Sequence, residues 1–157
     1  MALIRKAHLG DLDPVVNLWI ELMKYHKDKH FIFSLQHNHS QSIKGILSQR
    51  IQDARNSLFV AEEKDQLVGL LAASLKEKSL AFKYYKTGYI AETIVLEAYR
   101  NQGIGQELVD FAINWFKASK VDYVELQVAI QNPAAQKFWE RQGFDPAASH
   151  LVKPLNN

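Results

Sequence analysis

The sequence of 157 residues contains no cysteine. It therefore forms no disulfide and offers neither a thiolate metal ligand nor a cysteine nucleophile, and this composition fits a reducing compartment. No apolar run approaches the roughly 20 residues that a membrane span needs. Charges at Arg5 and Lys6 interrupt the segment where a signal peptide has its apolar stretch. We therefore expect a soluble, cytoplasmic protein with no membrane partner.

An excess of charge of one sign is also missing. The net charge is only +2, with 47% apolar and 23% charged residues, which is ordinary for a globular protein. This balance gives no reason to expect a nucleic-acid partner. The chain shows no repeat, low-complexity tract or linker, and its length suits one domain. We therefore expect a single domain over residues 1–157.

Hydrophobic periodicity predicts both helices and strands. Residues 15–22 and 104–116 carry apolar side chains at helical spacing, whereas residues 123–130 alternate as a strand does. Asp13 before Pro14 predicts a helix start, and Gly143 predicts a helix end. The predicted strands cover residues 3–7, 58–62, 67–75, 89–96, 123–130 and 149–152, and four helices begin near residues 14, 40, 104 and 133. The predicted class is α/β (α+β), with a mixed central sheet of about six strands flanked by about four helices.

A glycine-bearing loop, Arg-Asn-Gln-Gly-Ile-Gly at residues 100–105, separates the strand at 89–96 from the next helix. Glycine lets a backbone turn tightly and approach a ligand closely. The free N–H groups of a first helical turn then form an anion site, most naturally for phosphate. An ordinary strand-to-helix turn is the alternative. A dinucleotide fingerprint needs a third glycine where Leu108 stands, and no segment matches a P-loop.

Three segments together make the sequence resemble the GNAT superfamily of N-acetyltransferases. They are Val-Leu-Glu-Ala-Tyr-Arg-Asn-Gln-Gly-Ile-Gly at 95–105, Asn-Pro-Ala-Ala at 132–135 and Phe-Trp-Glu-Arg-Gln-Gly-Phe at 138–144. Their order and separation are similar to the family's along about a third of the chain, from Tyr89 to Phe144. The resemblance implies a GNAT-like fold and acetyl-CoA as co-substrate, with no metal.

The resemblance also implies which residues contact the cofactor. The family holds the pyrophosphate on backbone N–H groups of the glycine loop and the pantetheine arm on the preceding strand, where a splay from the next strand admits it. Asn132 occupies a position that often contacts pantetheine, although it also suits a helix N-cap. The implied cofactor-binding residues are Ile94, Val95, Leu96, Arg100, Asn101, Gln102, Gly103, Ile104, Gly105, Gln106, Asn132, Ala135, Phe138 and Trp139.

Two catalytic candidates lie on the strand at 89–96. Glu92 interrupts an apolar run, and a carboxylate there can accept the proton that an alkylammonium must lose. The alternative for Glu92 is a solvent-facing glutamate. The backbone N–H of Val95 is the candidate for stabilising the tetrahedral oxyanion.

Trp139 departs from the family pattern. The family often has a tyrosine there that protonates the leaving thiolate, whereas an indole donates a hydrogen bond but is no acid near neutral pH. Packing is the better interpretation of Trp139. This departure keeps an alternative function open, that of a non-catalytic acyl-CoA-binding sensor or regulatory module.

Aromatic and histidine side chains outside the motifs are candidates for contacting the acceptor. His26, Phe31 and Phe33 follow the first predicted helix, in a region that contributes to the acceptor site in the family, and Tyr84 precedes the strand at 89–96. Local packing is their alternative role. His26 and His30 have the spacing of a metal pair but no third ligand, so we expect no metal.

The function expected from the sequence is therefore transfer of an acetyl group from acetyl-CoA to a primary amine by direct attack in a ternary complex. The acceptor is a small molecule or a protein, and polyamines, aminoglycosides, amino acids, lysine side chains and protein N-termini all stay open. Since family members often form dimers, a homodimer is also open.

Overall fold

The computed structural model describes residues 1–156. The strands are β1 (Leu3–Lys6), β2 (Asn56–Glu63), β3 (Gln66–Glu77), β4 (Lys86–Val95) and β5 (Tyr123–Leu126). The α-helices are α1 (Leu12–His26), α2 (His39–Gln52), α3 (Ile104–Ala118) and α4 (Pro133–Arg141). These elements fall into two compact units, residues Met1–Gln127 and a second that begins at Val128. No helix within residues 1–156 is long and apolar enough to cross a bilayer.

The first unit contains one sheet with the strand order β1-β2-β3-β4-β5. The first four strands pair antiparallel and β5 pairs parallel to β4, so the predicted mixed sheet is confirmed. The antiparallel turn between β2 and β3 places Lys64 and Asp65 at positive φ. The parallel pairing needs a crossover, and α3 provides it between β4 and β5.

The predicted sixth strand at residues 149–152 is wrong. This segment adopts no strand within the described residues, and β5 ends at Leu126 instead of residue 130. Leu151 is 89% exposed, so the segment buries too little apolar surface to offset the entropy of ordering a strand. The sheet of the described chain therefore has five strands.

The two faces of the sheet are covered by different helices. On one face, Leu70 and Ala72 of β3 join residues of α1 and α2 in a buried cluster. On the other, a Cβ added to Gly69 of β3 would lie 3.1 Å from Leu108 of α3. A Cβ added to Gly88 of β4 would lie 2.4 Å from the Phe116 ring. Because strand side chains alternate between the two faces of a sheet, one face of β3 and β4 packs against α1 and α2 and the other against α3.

The first helix begins earlier than predicted. Leu12 is its first residue, so Asp13 is not the N-cap and Pro14 stands third. Proline is tolerated there because its missing N–H would have no intrahelical partner in the first turn. Asp13 instead forms an ion pair with Lys44 of α2, 2.9 Å away.

The second unit contains α4 and its flanking segments. The side chain of Asn132 accepts a 3.2 Å hydrogen bond from the Ala135 N–H, so it caps the helix. Gly143 has φ +90° just beyond the helix end, as the sequence predicted. Trp139 is buried and lies edge-on to Phe138 and Phe144, with ring centroids 5.0 and 5.3 Å away.

A partly buried ion-pair network ties β1 to the start of α1. Arg5 donates to both carboxylate oxygens of Asp11, at 2.8 and 2.9 Å, and to Glu62 of β2 at 2.7 Å. These bonds outweigh the opposing effect of burial and lower the pKa of Asp11 to about 2. Since this pKa lies below the usual 3.8, the stability that Asp11 contributes is present above pH 4 and is lost as pH falls towards 2.

We therefore expect Asp11→Asn to lower the free energy of unfolding at pH 7 by about 1–3 kcal/mol. Urea unfolding at pH 7 and at pH 2.5 measures it, and the deficit should shrink at the lower pH. Asp13→Asn is the matched control, since that side chain is 78% exposed in its ion pair, and it should change stability by under about 0.5 kcal/mol. A deficit for Asp11→Asn that is equal at both pH values would contradict the assignment.

Candidate active site

Only part of the β4 edge that faces β5 is paired with β5. Pairing between the two strands runs from Thr87↔Tyr123 to Ile90↔Leu126 and stops. Strand β4 continues to Val95, still paired with β3 on its other side. Residues 91–95 therefore have an open edge on the β5 side, which is the splay that the resemblance implied.

The register of β3 and β4 decides which backbone groups face this open edge. Leu96 N–H donates to the Val68 carbonyl at 2.9 Å, so Leu96 faces β3. Backbone groups of an antiparallel strand alternate in direction, so Ile94 also faces β3, whereas Val95 and Thr93 face the open edge. The backbone groups of Ile94 and Leu96 are therefore directed at β3, and contact of these two residues with the cofactor stays a prediction. Val95 stays a candidate.

A β-bulge lies where β5 leaves β4. Leu71 pairs with Thr93 and Ala73 with Ile90, so Ala91 and Glu92 together oppose the single residue Ala72. The bulge thus places Glu92 immediately beyond the last β4–β5 pair. A bulge of this kind re-aims a side chain at a functional site.

The Glu92 carboxylate is neither solvent-facing nor free. Its Oε2 accepts a 2.9 Å hydrogen bond from Nη1 of Arg50 in α2, and the side chain is only 16% exposed. The ion pair fixes the carboxylate against α2. Oε1 has no hydrogen bond within residues 1–156, so one oxygen remains available to a proton donor.

The glycine loop has the backbone geometry of an anion site. Gly103 has φ +85° and ψ 0°, and Asn101 has φ +62°. A Cβ added to Gly103 would meet nothing within 4 Å, so the requirement for glycine comes from the backbone conformation and from open space for a ligand. Gly105 lies inside the first turn of α3 without positive φ.

The N-terminus of α3 leaves several donors unpaired. Glu107 N–H makes the first intrahelical bond, to the Gly103 carbonyl at 3.0 Å. The preceding N–H groups, of Gly103, Ile104, Gly105 and Gln106, have no acceptor in the described chain. Gly103 as N-cap supplies no capping side chain. These donors, with the positive end of the helix dipole behind them, suit a phosphate.

Arg100 joins the loop to the open edge. Its Nε donates to the Val95 carbonyl at 2.8 Å, across five residues. The Gln102 side chain points back along the loop, donating to the Ala98 carbonyl at 3.4 Å. The predicted cofactor residues from Val95 to Gln106 are thus brought together by one strand end, one loop and one helix start.

The predicted acceptor residues occupy two places in the first unit. His26 ends α1 and its ring lies 5.3 Å from that of Phe33. Burial, with the nearby charge of Lys29, lowers the pKa of His26, so the imidazole is neutral at pH 7. Phe31 is 49% exposed on a short 3-10 turn, and Tyr84 is exposed in the connection before β4. Packing accounts for the contact between His26 and Phe33.

The cofactor candidates Asn132, Ala135, Phe138 and Trp139 all lie in the second unit. The asparagine caps α4 and the tryptophan is packed, so each fulfils a structural role. Contact with the pantetheine arm stays a prediction for all four. Within residues 1–156, no three His, Asp or Glu side chains are placed to hold a metal ion.

The sequence did not indicate that three further residues, Arg50, Thr93 and Tyr89, lie at the candidate site. Arg50 lies on a predicted helix, but nothing in the sequence gives its distance from Glu92. Thr93 shares the open edge with Val95 only because of the bulge, which no periodicity reveals. Tyr89 is half-buried, and burial, then the charges of Glu92 and Glu125, raise the pKa of its phenol.

A mixed sheet, a fourth strand with an open edge and a glycine loop at a helix start are the features that the resemblance to the GNAT superfamily implied. The model of the family described as Acetyltransferase (GNAT) matches residues 19–144, and the chain belongs to this family. The membership expected from the three motifs is therefore confirmed.

Similar proteins include enzymes of more than one kind. An uncharacterized N-acetyltransferase of Archaeoglobus fulgidus is 28% identical over 139 residues, covering 88% of this chain and 90% of that protein. N-alpha-acetyltransferase 30 of Schizosaccharomyces pombe is 30% identical over 86 residues, and the match covers 55% of each chain. The structure of the aminoglycoside N-acetyltransferase AAC(6')-Iy in complex with CoA matches with TM-score 0.79 and 15% identity, covering 98% of this chain and 94% of that one.

We expect Gly103→Val to weaken CoA binding by at least about tenfold, or about 1.4 kcal/mol. A β-branched residue disfavours positive φ and would obstruct close approach of a phosphate. Gly103→Asn should lose less, because asparagine tolerates the left-handed conformation. Calorimetric titration with CoA on folded variants measures both.

Gly45→Ala is the control for this series, since it lies on α2 with nothing within 4 Å of an added Cβ. It should leave CoA affinity unchanged. Gly105→Val adds a bulky side chain at a position without positive φ. It should therefore weaken CoA binding through its size alone. Unchanged affinity in both valine variants would remove the loop from the cofactor site.

Proposed function

We propose that the protein transfers the acetyl group of acetyl-CoA to a primary amine by direct attack in a ternary complex. One observation carries the proposal: the bulge that holds Glu92 lies where β4 loses its β5 partner. The same open edge leads through Val95 and Arg100 into the glycine loop. The carboxylate of Glu92, the N–H of Val95 as oxyanion donor and the phosphate site of the glycine loop thus follow one another along the chain.

The assignment of each group follows from its chemistry. The N–H groups at the start of α3 bind the pyrophosphate of acetyl-CoA, and the open edge at Thr93 and Val95 binds the pantetheine arm. The CoA complex of the structurally similar aminoglycoside N-acetyltransferase supports CoA as the ligand of this fold. The acetyltransferase names of the relatives support the same reaction.

The reaction removes two protons from the nitrogen, the first to Glu92 and the second to water, and returns one proton to the sulfur. The ammonium gives a proton to Glu92, directly or through water, and the amine nitrogen attacks the thioester carbonyl. The N–C bond forms, and the backbone N–H of Val95 stabilises the oxyanion. The C–S bond then breaks, the amide nitrogen loses its second proton, and the thiolate of CoA takes up a proton from water.

Glu92 meets the largest energetic demand. An alkylammonium has a pKa near 10.4, so deprotonating it at pH 7 costs roughly 4–5 kcal/mol. A positioned base contributes typically about 10²–10⁴-fold to such a step. Its free oxygen and its fixed position against Arg50 suit the carboxylate to this role.

We expect Glu92→Gln to lower kcat by about 10²-fold or more while CoA affinity stays the same. The acidic limb of the pH–rate profile should change with it. Stopped assays of thiol release across pH 6–9, with calorimetric titration of CoA, measure both quantities.

Glu62→Gln is the matched control, since Glu62 on β2 is also an ion-paired strand carboxylate, bonded to Arg5 and separated from β4 by β3. It should keep the turnover. Near-normal turnover and an unaltered profile in Glu92→Gln would show that another group is the base.

Trp139 should contribute little to turnover. A thiol has a pKa near 8.5, so its thiolate leaves readily near neutral pH without a protein acid. The indole is buried between aromatic rings, and Trp139→Phe keeps the aromatic bulk. We expect a loss in kcat of less than about tenfold, because at most one hydrogen bond of about 1–3 kcal/mol is removed. A thousandfold loss in a folded, CoA-binding variant would contradict this.

The proposal as a whole is tested by release of free thiol from acetyl-CoA over a panel of amines. Turnover with any amine, with the acetylated product identified by mass spectrometry, supports it. Tight CoA binding without turnover across small amines and peptides would instead make the protein an acyl-CoA sensor, the function that the tryptophan at position 139 keeps open.

A further inference from the structure

A cleft of about 310 Å³ opens on the α1/α2 face of the sheet, beyond the C-terminal end of α2. Its floor is formed by β3 and β4 from Ala72 to Lys76 and from Tyr89 to Ala91. It reaches Glu92 through the neighbouring Ala91 and through Arg50, the ion-pair partner of Glu92. One end of the cleft therefore lies next to the candidate base, although Glu92 itself does not line it.

The other end of the cleft is cationic. Lys76 lies four residues along β3 from Ala72, the residue opposite the bulge, which is about 13 Å at the rise of a strand. Arg55 lies beside it, because the Arg55 carbonyl accepts from Leu75 N–H at 2.8 Å. Both cations line the cleft, and neither takes part in an ion pair within residues 1–156.

The remaining charges around the cleft have partners. Arg50 is neutralised by Glu92 at 2.9 Å, and Glu125, across from Tyr89 on β5, pairs with Lys78 at 3.2 Å. These two pairs leave the lining with the two free cations and the carboxylate of Asp53.

Asp53 is occupied in the turn that follows α2. One oxygen accepts from the Arg55 backbone N–H at 2.8 Å and the other from the Asn56 side chain at 3.2 Å. The Arg55 guanidinium itself donates only to the Leu75 carbonyl, at 3.4 Å. The Lys76 ammonium lies 4.3 Å above the Tyr89 ring, leaning back along the cleft. Both cations thus keep donors available to a ligand.

Taking acetyl transfer to an amine as given, we infer that the acceptor is a small primary amine that carries an anionic group, a carboxylate or a phosphate, bound by Lys76 and Arg55 while its nitrogen reaches Glu92. The cleft volume suits a small molecule. Lys76 and Arg55 together outweigh the single carboxylate of Asp53. The remaining positive charge attracts an anion and repels a second ammonium group, so polyamines and other polycations are disfavoured. The raised pKa of Tyr89 keeps its hydroxyl protonated, which provides one more donor to such an anion.

Three six-carbon amines isolate the effect of charge. They are 6-aminohexanoate, hexylamine and 1,6-diaminohexane, which share the reacting amine and chain length and differ at the far end. We expect kcat/KM at saturating acetyl-CoA to be at least about tenfold higher for 6-aminohexanoate than for hexylamine, and lowest for 1,6-diaminohexane. The preference should weaken with added salt.

Variants connect the preference to the cleft. Lys76→Gln and Arg55→Gln should each reduce the ratio of kcat/KM between 6-aminohexanoate and hexylamine by at least about threefold. Lys117→Gln is the matched control, since this exposed lysine lies at the end of α3 on the other face of the sheet, and it should keep the ratio. A preference that survives in the double variant would place anion recognition elsewhere and overturn the inference.

Binding without turnover separates this inference from the proposed function. NMR titration of the CoA complex with each of the three amines gives their affinities whether or not acetyl transfer occurs. If the anionic amine binds best and neither the small amines nor peptides are acetylated, the proposed function fails and the cleft assignment holds. If amines are acetylated with no preference for the anionic one, or only peptides are acetylated, the acceptor inference is wrong and the acetyl transfer stands.

Discussion

The arrangement of the candidate site depends on one constraint, the end of pairing between β4 and β5 at Ile90 and Leu126. Beyond that point β4 is held by β3 alone. Within residues 1–156 the N–H groups of Thr93 and Val95 on its other edge have no backbone partner, whereas the Val95 carbonyl accepts from Arg100. Such an edge can pair with a strand of another chain unless it is short or is covered by a ligand or another segment. Here it is five residues long and runs directly into the glycine loop and the N-terminus of α3, so polar donors for an extended ligand follow one another without a break.

The contact between Arg50 and Glu92 connects this edge to the rest of the first unit. Arg50 lies in the last turn of α2, and α2 is held by the buried cluster that includes Ile43 and Leu47. The position of the carboxylate therefore depends on packing between helix and sheet as well as on the strand. The two side chains are 29% and 16% exposed, and for such a part-buried pair the cost of desolvation offsets much of the attraction, so the pair is weak evidence for stability. Its main consequence is geometric, since it fixes one carboxylate oxygen and leaves the other available.

The sequence predicted the interactions between neighbouring residues better than the interactions between residues far apart in the chain. Local rules were enough for the helix start at Asn132, the helix end at Gly143 and the glycine loop, because capping and positive φ are properties of a few neighbouring residues. The strand at 149–152 failed because an apolar pair of residues says nothing about whether a partner strand is within reach. Arg50 was missed because it stands 42 residues from Glu92. Only the packed fold determines such a pair.

The bulge explains why a one-residue insertion matters for chemistry. Before it, the Lys86 carbonyl accepts from Asp122 N–H at 2.7 Å, so by alternation Gly88 and Ile90 direct their backbone groups towards β5. An unbroken strand would continue this pattern through Ile94 and would turn the Glu92 side chain towards α3. The extra residue reverses both the direction of the backbone groups and the face on which the following side chains lie. Val95 then faces the open edge, Ile94 returns to the core under α1 and α2, and Glu92 lies on the same face as Arg50 and the cleft.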